Sequence, residues 1–213
     1  MIISTEKTFI FVHIPKTAGK SVTAALDRHA SRGLAHRRTI HETMAEFHRR
    51  QQDETVRPGL FRRRKRIERM PQGWDDYFSF AFVRNPWDRV VSMYSFYRRM
   101  GYPWIAHVDT FEQFVGDLES GAQYLLDIHG PRPQVDFVTD FRGRQIVSFI
   151  GRFENIAEDF AKICDTIGVG CDLPRRNVSE RSDYTEYFTG ELRDTVGEIY
   201  ADDIAMFGYS YGE

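Results

Sequence analysis

Cysteine is nearly missing from this chain: 213 residues contain two, Cys164 and Cys171. Two thiols make no disulfide framework, and neither stands at a zinc-ligand spacing, so the chain reads as a protein of a reducing compartment. Long apolar runs are missing too. None approaches the ~20 residues of a membrane span, and residues 1–7 lack the apolar stretch of a signal peptide. The expected location is cytoplasmic. Net charge is only −2, so no bulk polycation advertises nucleic-acid binding. The seven histidines include no i,i+4 pair that would suggest a helical metal site, and no repeat or low-complexity tract occurs.

What is present is an ordinary globular composition, with 41% hydrophobic and 28% charged residues, and an aromatic complement of 17 Phe and 10 Tyr. The length favours one domain over residues 1–213 with a sizeable core. Charge is unevenly spread. Residues 28–69 hold thirteen Lys/Arg against five Asp/Glu, and the peak is the run Arg62-Arg63-Arg64-Lys65-Arg66. This run is either a solvated basic face or a patch that attracts an anionic acceptor or surface. Pro58, Gly59 and Pro71 break residues 53–73, which read as a basic surface insertion.

Residues 8–13 and 77–83 are apolar and β-prone and read as buried strands; residues 34–40 and 146–150 are further strand candidates. Helical spacing follows at 20–29, 42–52, 111–118, 122–128, 154–167 and near Leu192, Val196 and Ile199. Asn85-Pro86 is a helix start, with Asn as cap and Pro at the first position. Strands alternating with helices imply an α/β fold: a three-layer, P-loop-like parallel sheet flanked by helices on both faces. Ligands of such sheets sit at the carboxyl ends of the strands.

The stretch F-I-F-V-H-I-P-K-T-A-G-K-S over residues 9–21 has the form of a phosphate turn: a strand, a tight loop, then a helix whose first N–H groups face outward. Gly19, Lys20 and Ser21 match the end of G-x-x-x-x-G-K-[ST], but its first glycine would fall on Ile14. The strand ending at Val83 is followed by Arg84, where a P-loop hydrolase wants a carboxylate for Mg²⁺. Both departures oppose an ATP or GTP hydrolase.

F-x-H-I-P-K-T-A-G-K-S, followed by F-A-F-V-R-N-P-W-D-R-V-V-S-M-Y, resembles the sulfotransferases that use 3′-phosphoadenosine 5′-phosphosulfate (PAPS), and among them the carbohydrate type, sulfotransferase family 2 with the heparan 2-O-sulfotransferase-like group. G-R-F-E-N at 151–155 and D-I-A-M-F-G-Y at 203–209 resemble further landmarks of that family, and Gln134 and Asp136 echo its Q-x-D segment. The resemblance implies transfer of a sulfuryl group from PAPS to an acceptor hydroxyl, on a saccharide, with PAP as product and no metal. Its first motif is the 5′-phosphosulfate loop and its second the 3′-phosphate site. It also implies a loop with an Asn and basic residues closing over the nucleotide, here residues 175–181, with Arg176 or Arg181 on a phosphate.

The chemistry of the residues agrees. PAPS carries two anionic ends. Backbone N–H groups of Thr17, Ala18, Gly19, Lys20 and Ser21, the Ser21 hydroxyl and the helix start suit one. Arg84 can fork onto the other, with a second bond from Ser92. For Arg84 the alternative is a surface ion pair with Asp88, and for Ser92 a plain helix-face serine. Lys16 is the candidate catalytic cation, stabilising charge on the departing oxygen, although a lysine that merely neutralises phosphate would look the same. His41 is the candidate base, with Glu42 in reserve, while His13 reads as a core residue. Two other readings stay open: a nucleotide kinase or other phosphotransferase, and a non-catalytic nucleotide- or polyanion-binding module.

Overall fold

The computed structural model describes residues 1–31, 41–52, 73, 76–126, 128–170, 172–174 and 182–213. The expected strand at 34–40, the basic run 62–66, all of the expected insertion but Gly73, and both Arg176 and Arg181 lie outside the described residues.

Four strands form one sheet in the order β1 (Ile2–Ser4), β2 (Phe9–Val12), β3 (Phe78–Val83), β4 (Phe149–Arg152). β2, β3 and β4 run parallel, in register Phe11↔Phe80 and Phe80↔Phe149. The expected parallel sheet is present, and an antiparallel edge strand, β1, extends it, pairing Ile3 with Ile10. It returns directly into β2, and a connection of four residues permits only antiparallel pairing. The strand expected at 146–150 begins three residues later, at Phe149, and ends at Arg152. Ile146 instead donates its N–H to Val138 O, and pairing with β3 begins at Phe149.

Alternation sorts the strands' side chains between the two faces. Phe9, Phe11, Phe80 and Phe82 point to one face, where α1 (Gly19–Leu26) and α7 (Ile156–Ile167) cover them with Val22, Leu26, Phe160 and Ile163. Each buried Phe contributes about 1.5–3 kcal/mol. Gly151 in β4 makes this face possible, since a Cβ there would lie 2.6 Å from the Phe82 ring. Ile10, Val12, Ala81 and Val83 point to the other face, under α2 (Met44–Gln52), α6 (Val135–Val138) and α9 (Ala201–Phe207).

A second, aromatic lobe grows from α3 (Pro86–Met100) with α4 (Phe111–Glu119), α5 (Gln123–Leu126) and α8 (Gly190–Ile199). The cysteine reading is also corrected. Cys164, buried on α7, is disulfide-bonded, and no free cysteine occurs among the described residues. A disulfide at Cys164 is not what a reducing compartment would favour. No helix among the described residues is long and apolar enough to cross a membrane.

Candidate active site

Because β2, β3 and β4 are parallel, their carboxyl ends share one edge of the sheet. After β2, Ile14 and Pro15 stay buried and the chain bends through the left-handed region twice, at Lys16 (φ 71°) and Ala18 (φ 62°). The Thr17 hydroxyl donates to Ile14 O at 3.0 Å and ties the bend together. Ala18 is the N-cap of α1 and offers no side-chain cap, so the first helical N–H groups, at Gly19 and Lys20, get no partner from the cap. The Ser21 N–H, expected to face a ligand, instead donates to Ala18 O at 2.8 Å. Gly19 is glycine because of a neighbour: a Cβ there would fall 1.8 Å from His13 Nε2.

After β3 the architecture differs. Arg84 is buried, and its Nε and Nη2 donate to Asp88 Oδ2 at 2.8 and 2.6 Å. The ion pair weighed as a surface contact therefore exists, but in a buried setting. The guanidinium also packs over Phe153 at 4.0 Å, and Nη1 donates to Lys16 O at 3.2 Å. The two motifs thus touch. Asn85 caps α3 by accepting from Trp87 N–H at 3.1 Å.

Three segments that resemble family landmarks in the sequence close around this strand end. The Gln134 amide grips the backbone of Arg84, accepting from its N–H and donating to its C=O, both at 2.9 Å. Glu154 accepts from Asn85 N–H at 2.8 Å and from the Tyr209 hydroxyl at 3.0 Å. Asp203, fully buried, accepts from the N–H groups of Gln134 and Val135 at 2.9 Å. Burial pushes the Asp203 carboxyl up, opposed by Arg89 and those N–H groups. Asp136 accepts from Arg132 at 3.2 Å.

α3 supplies a stripe of side chains to the loop. Arg89, fully buried, donates to Pro15 O at 3.2 Å and to the carbonyls of Gly130 and Arg132 at 2.7 and 2.8 Å. Sequence reasoning passed over it, although a cation amid Val90, Val91 and Met93 was a visible signal. Ser92 is buried one turn on. Phe96, a further turn on, carries the Lys16 ammonium 4.1 Å above its ring.

His41 lies against the first strand end. Its Nδ1 is 3.1 Å from His13 O. A carbonyl oxygen only accepts, so Nδ1 carries the proton and the basic lone pair of the neutral ring is on Nε2. The rings of His13 and His41 meet edge-on at 4.8 Å, and His129 follows at 6.0 Å. Burial lowers the pKa of His41; the bond to His13 opposes this and nearby cations, Arg89 included, add to it. Burial holds His13 well below its usual range. Glu42 is buried beside the Met1 amino group. No group of His, Cys, Asp and Glu among the described residues is arranged to hold a metal ion.

The geometry therefore joins Lys16, Arg84 and, through His13, His41 at one sheet edge, with Ser92 on the adjoining helix. It does so through Arg89, Gln134, Glu154, Phe153 and Asp203, whose contacts only the packed structure shows. Comparison with known proteins gives a consistent result. The model of a sulfotransferase family matches residues 1–210. An uncharacterized protein of Archaeoglobus fulgidus is 33% identical over 103 residues, covering 48% of this chain and 78% of that one. No solved structure matches the chain.

Proposed function

The chain belongs to the sulfotransferase family, whose chemistry is sulfuryl transfer, and from that premise we propose that it moves the sulfuryl group of PAPS in line to an acceptor hydroxyl, with a carbohydrate as the acceptor class. The observation that carries this reading is the 3.2 Å contact between the Arg84 guanidinium and Lys16 O, which sets two cationic groups on adjoining strand ends.

The donor set fits a ligand with a phosphosulfate at one end and a separate phosphate at the other. The start of α1, without a side-chain cap, and the Lys16 and Lys20 ammonium groups suit the phosphosulfate. Arg84, aimed by Asp88 and Phe153, and Ser92 suit the 3′ phosphate. Arg176 and Arg181 remain candidates for closing over it. When bound, PAPS supplies the group that is transferred.

Lys16 would stabilise the oxygen that gathers negative charge as the sulfuryl group departs. His41, its Nδ1 committed to His13 O, would take the acceptor's proton on Nε2. Burial favours the neutral ring, which is the form a base needs.

Calorimetry with PAP and adenosine 5′-phosphosulfate tests the assignment. Arg84→Ala should weaken PAP by about tenfold to a hundredfold, the range of a lost charge-assisted hydrogen bond, and weaken adenosine 5′-phosphosulfate less. Equal losses would remove Arg84 from the 3′ site. Lys16→Ala should slow turnover by about 10²–10³ with a smaller effect on PAP affinity. Strict Mg²⁺-dependent ATP turnover would replace this reading with a phosphotransferase. PAP binding unchanged in Lys16→Ala, with no transfer to any acceptor, would leave a binding module.

A further inference from the structure

Three cationic side chains gather on one aromatic ring. The Lys16 ammonium is 4.1 Å from the Phe96 centroid, the Lys20 ammonium 5.6 Å and the Arg99 guanidinium 5.9 Å. All fall within the ~6 Å over which a ring's negative face attracts a cation. Three cations around one ring make the locality positive, and an anion there would be stabilised.

Phe96 is placed for this by helix geometry. Arg89, Ser92 and Phe96 are three, four and seven residues apart on α3, which puts them on one face. Arg89 holds the loop by Pro15 O, and Arg84, at the mouth of α3, holds it by Lys16 O. Both grip the backbone. Neither determines where the four-carbon side chain of Lys16 carries its charge, and such a stem has many rotamers. The ring, itself edge-packed on Tyr97 at 5.7 Å, supplies that restraint.

We propose that Phe96 is a positioning residue for sulfuryl transfer: its ring seats the Lys16 ammonium at the start of α1, ready to meet the charge that develops on the leaving oxygen. The inference rests on the role given to Lys16 above, and goes beyond it by naming what holds that lysine in place.

The test has one arm that needs no substrate. The lysines are reductively methylated with ¹³C, and the Lys16 methyl resonance is assigned by its disappearance in Lys16→Arg. In the parent protein that resonance should be shifted upfield by the ring current. Phe96→Leu should abolish the shift and Phe96→Tyr should keep it. In the second arm, release of PAP from PAPS should fall about threefold to thirtyfold in Phe96→Leu, the span of a cation–π contact, with PAP affinity unchanged, and Phe96→Tyr should restore the rate. Thermal unfolding checks that both variants are folded. A retained shift in Phe96→Leu, equal slowing in the two variants, or a rate loss matched by lost PAP affinity would overturn the proposal. If the parent neither binds PAP nor releases it, the donor assignment fails, and the methyl shift still decides whether Phe96 seats Lys16.

Discussion

The ends of β2 and β3 lie side by side and are built in opposite ways. After β3 the chain is closed by its own side chains. Asn85 caps α3, Pro86 opens it, Gln134 grips Arg84, and Glu154 takes the Asn85 N–H. After β2 the chain enters α1 from a left-handed Ala18 with no capping side chain, and Lys16 takes a second left-handed bend. A cap is ordinarily worth about 1 kcal/mol, and a non-glycine residue in the left-handed region costs roughly 1–2 kcal/mol. The first strand end forgoes that stability, which suits the anion site proposed for it. The second supplies the rigid wall against which the first is held, through the bond from Arg84 to Lys16 O.

The contrast breaks most directly at Asp203, which braces the closed end. Asp203→Ala removes the acceptor for Gln134 and Val135 and leaves buried Arg89, 4.0 Å away, without that carboxylate. Denaturant unfolding should register a loss on the order of 3 to 5 kcal/mol. An unchanged midpoint would mean the closed end is not the brace described.

Gly19→Ala tests the open end and should weigh more on function. Its Cβ meets the His13 ring at 1.8 Å, and that ring is held between Phe11 at 5.8 Å and His41 at 4.8 Å. Displacing it should lower stability by about 1 to 3 kcal/mol, disturb His41 and depress turnover. Parental activity in Gly19→Ala would show that His13 can move without consequence for the site.

The smallest effect is in the acid limb of stability. Burial lowers the pKa of both His13 and His41 below the ordinary 6.5, so between those depressed values and 6.5 the unfolded chain binds more protons than the folded one. Stability therefore rises with pH across that window and falls as pH drops from 7 through 6.5. Asp203, pushed up from 3.8 by burial, acts in the opposite sense at lower pH. Melting temperatures recorded across this range in the parent and in His13→Asn should show a shallower acid decline in the variant. Identical curves would remove His13 from the account.

Much of this was legible in the chain. The apolar, β-prone run 77–83 announced β3, one residue too long at its start, and Asn85-Pro86 announced the start of α3, because strand propensity and capping are local effects. β1 was missed because three residues are too few to display a period. β4 was misplaced because the apolar run at 146–150 does not itself decide which of its residues pair; the register Phe80↔Phe149 does. Ala18 reads as one N–H donor of the phosphate turn, and only its φ of 62° shows it to be an N-cap without a side-chain cap.

An α/β chain with two turns, after two apolar strands, that read as anion sites follows from local chemistry, since strand period, turn residues and helix capping act over a few neighbouring positions. Packing alone brings Arg84 to Lys16 O across 68 positions, Asp203 to the Val135 N–H across 68, and Phe96 under the Lys16 ammonium. Those contacts follow from parallel register and helix packing, which bring distant residues to one edge of the sheet, and no local propensity encodes that proximity.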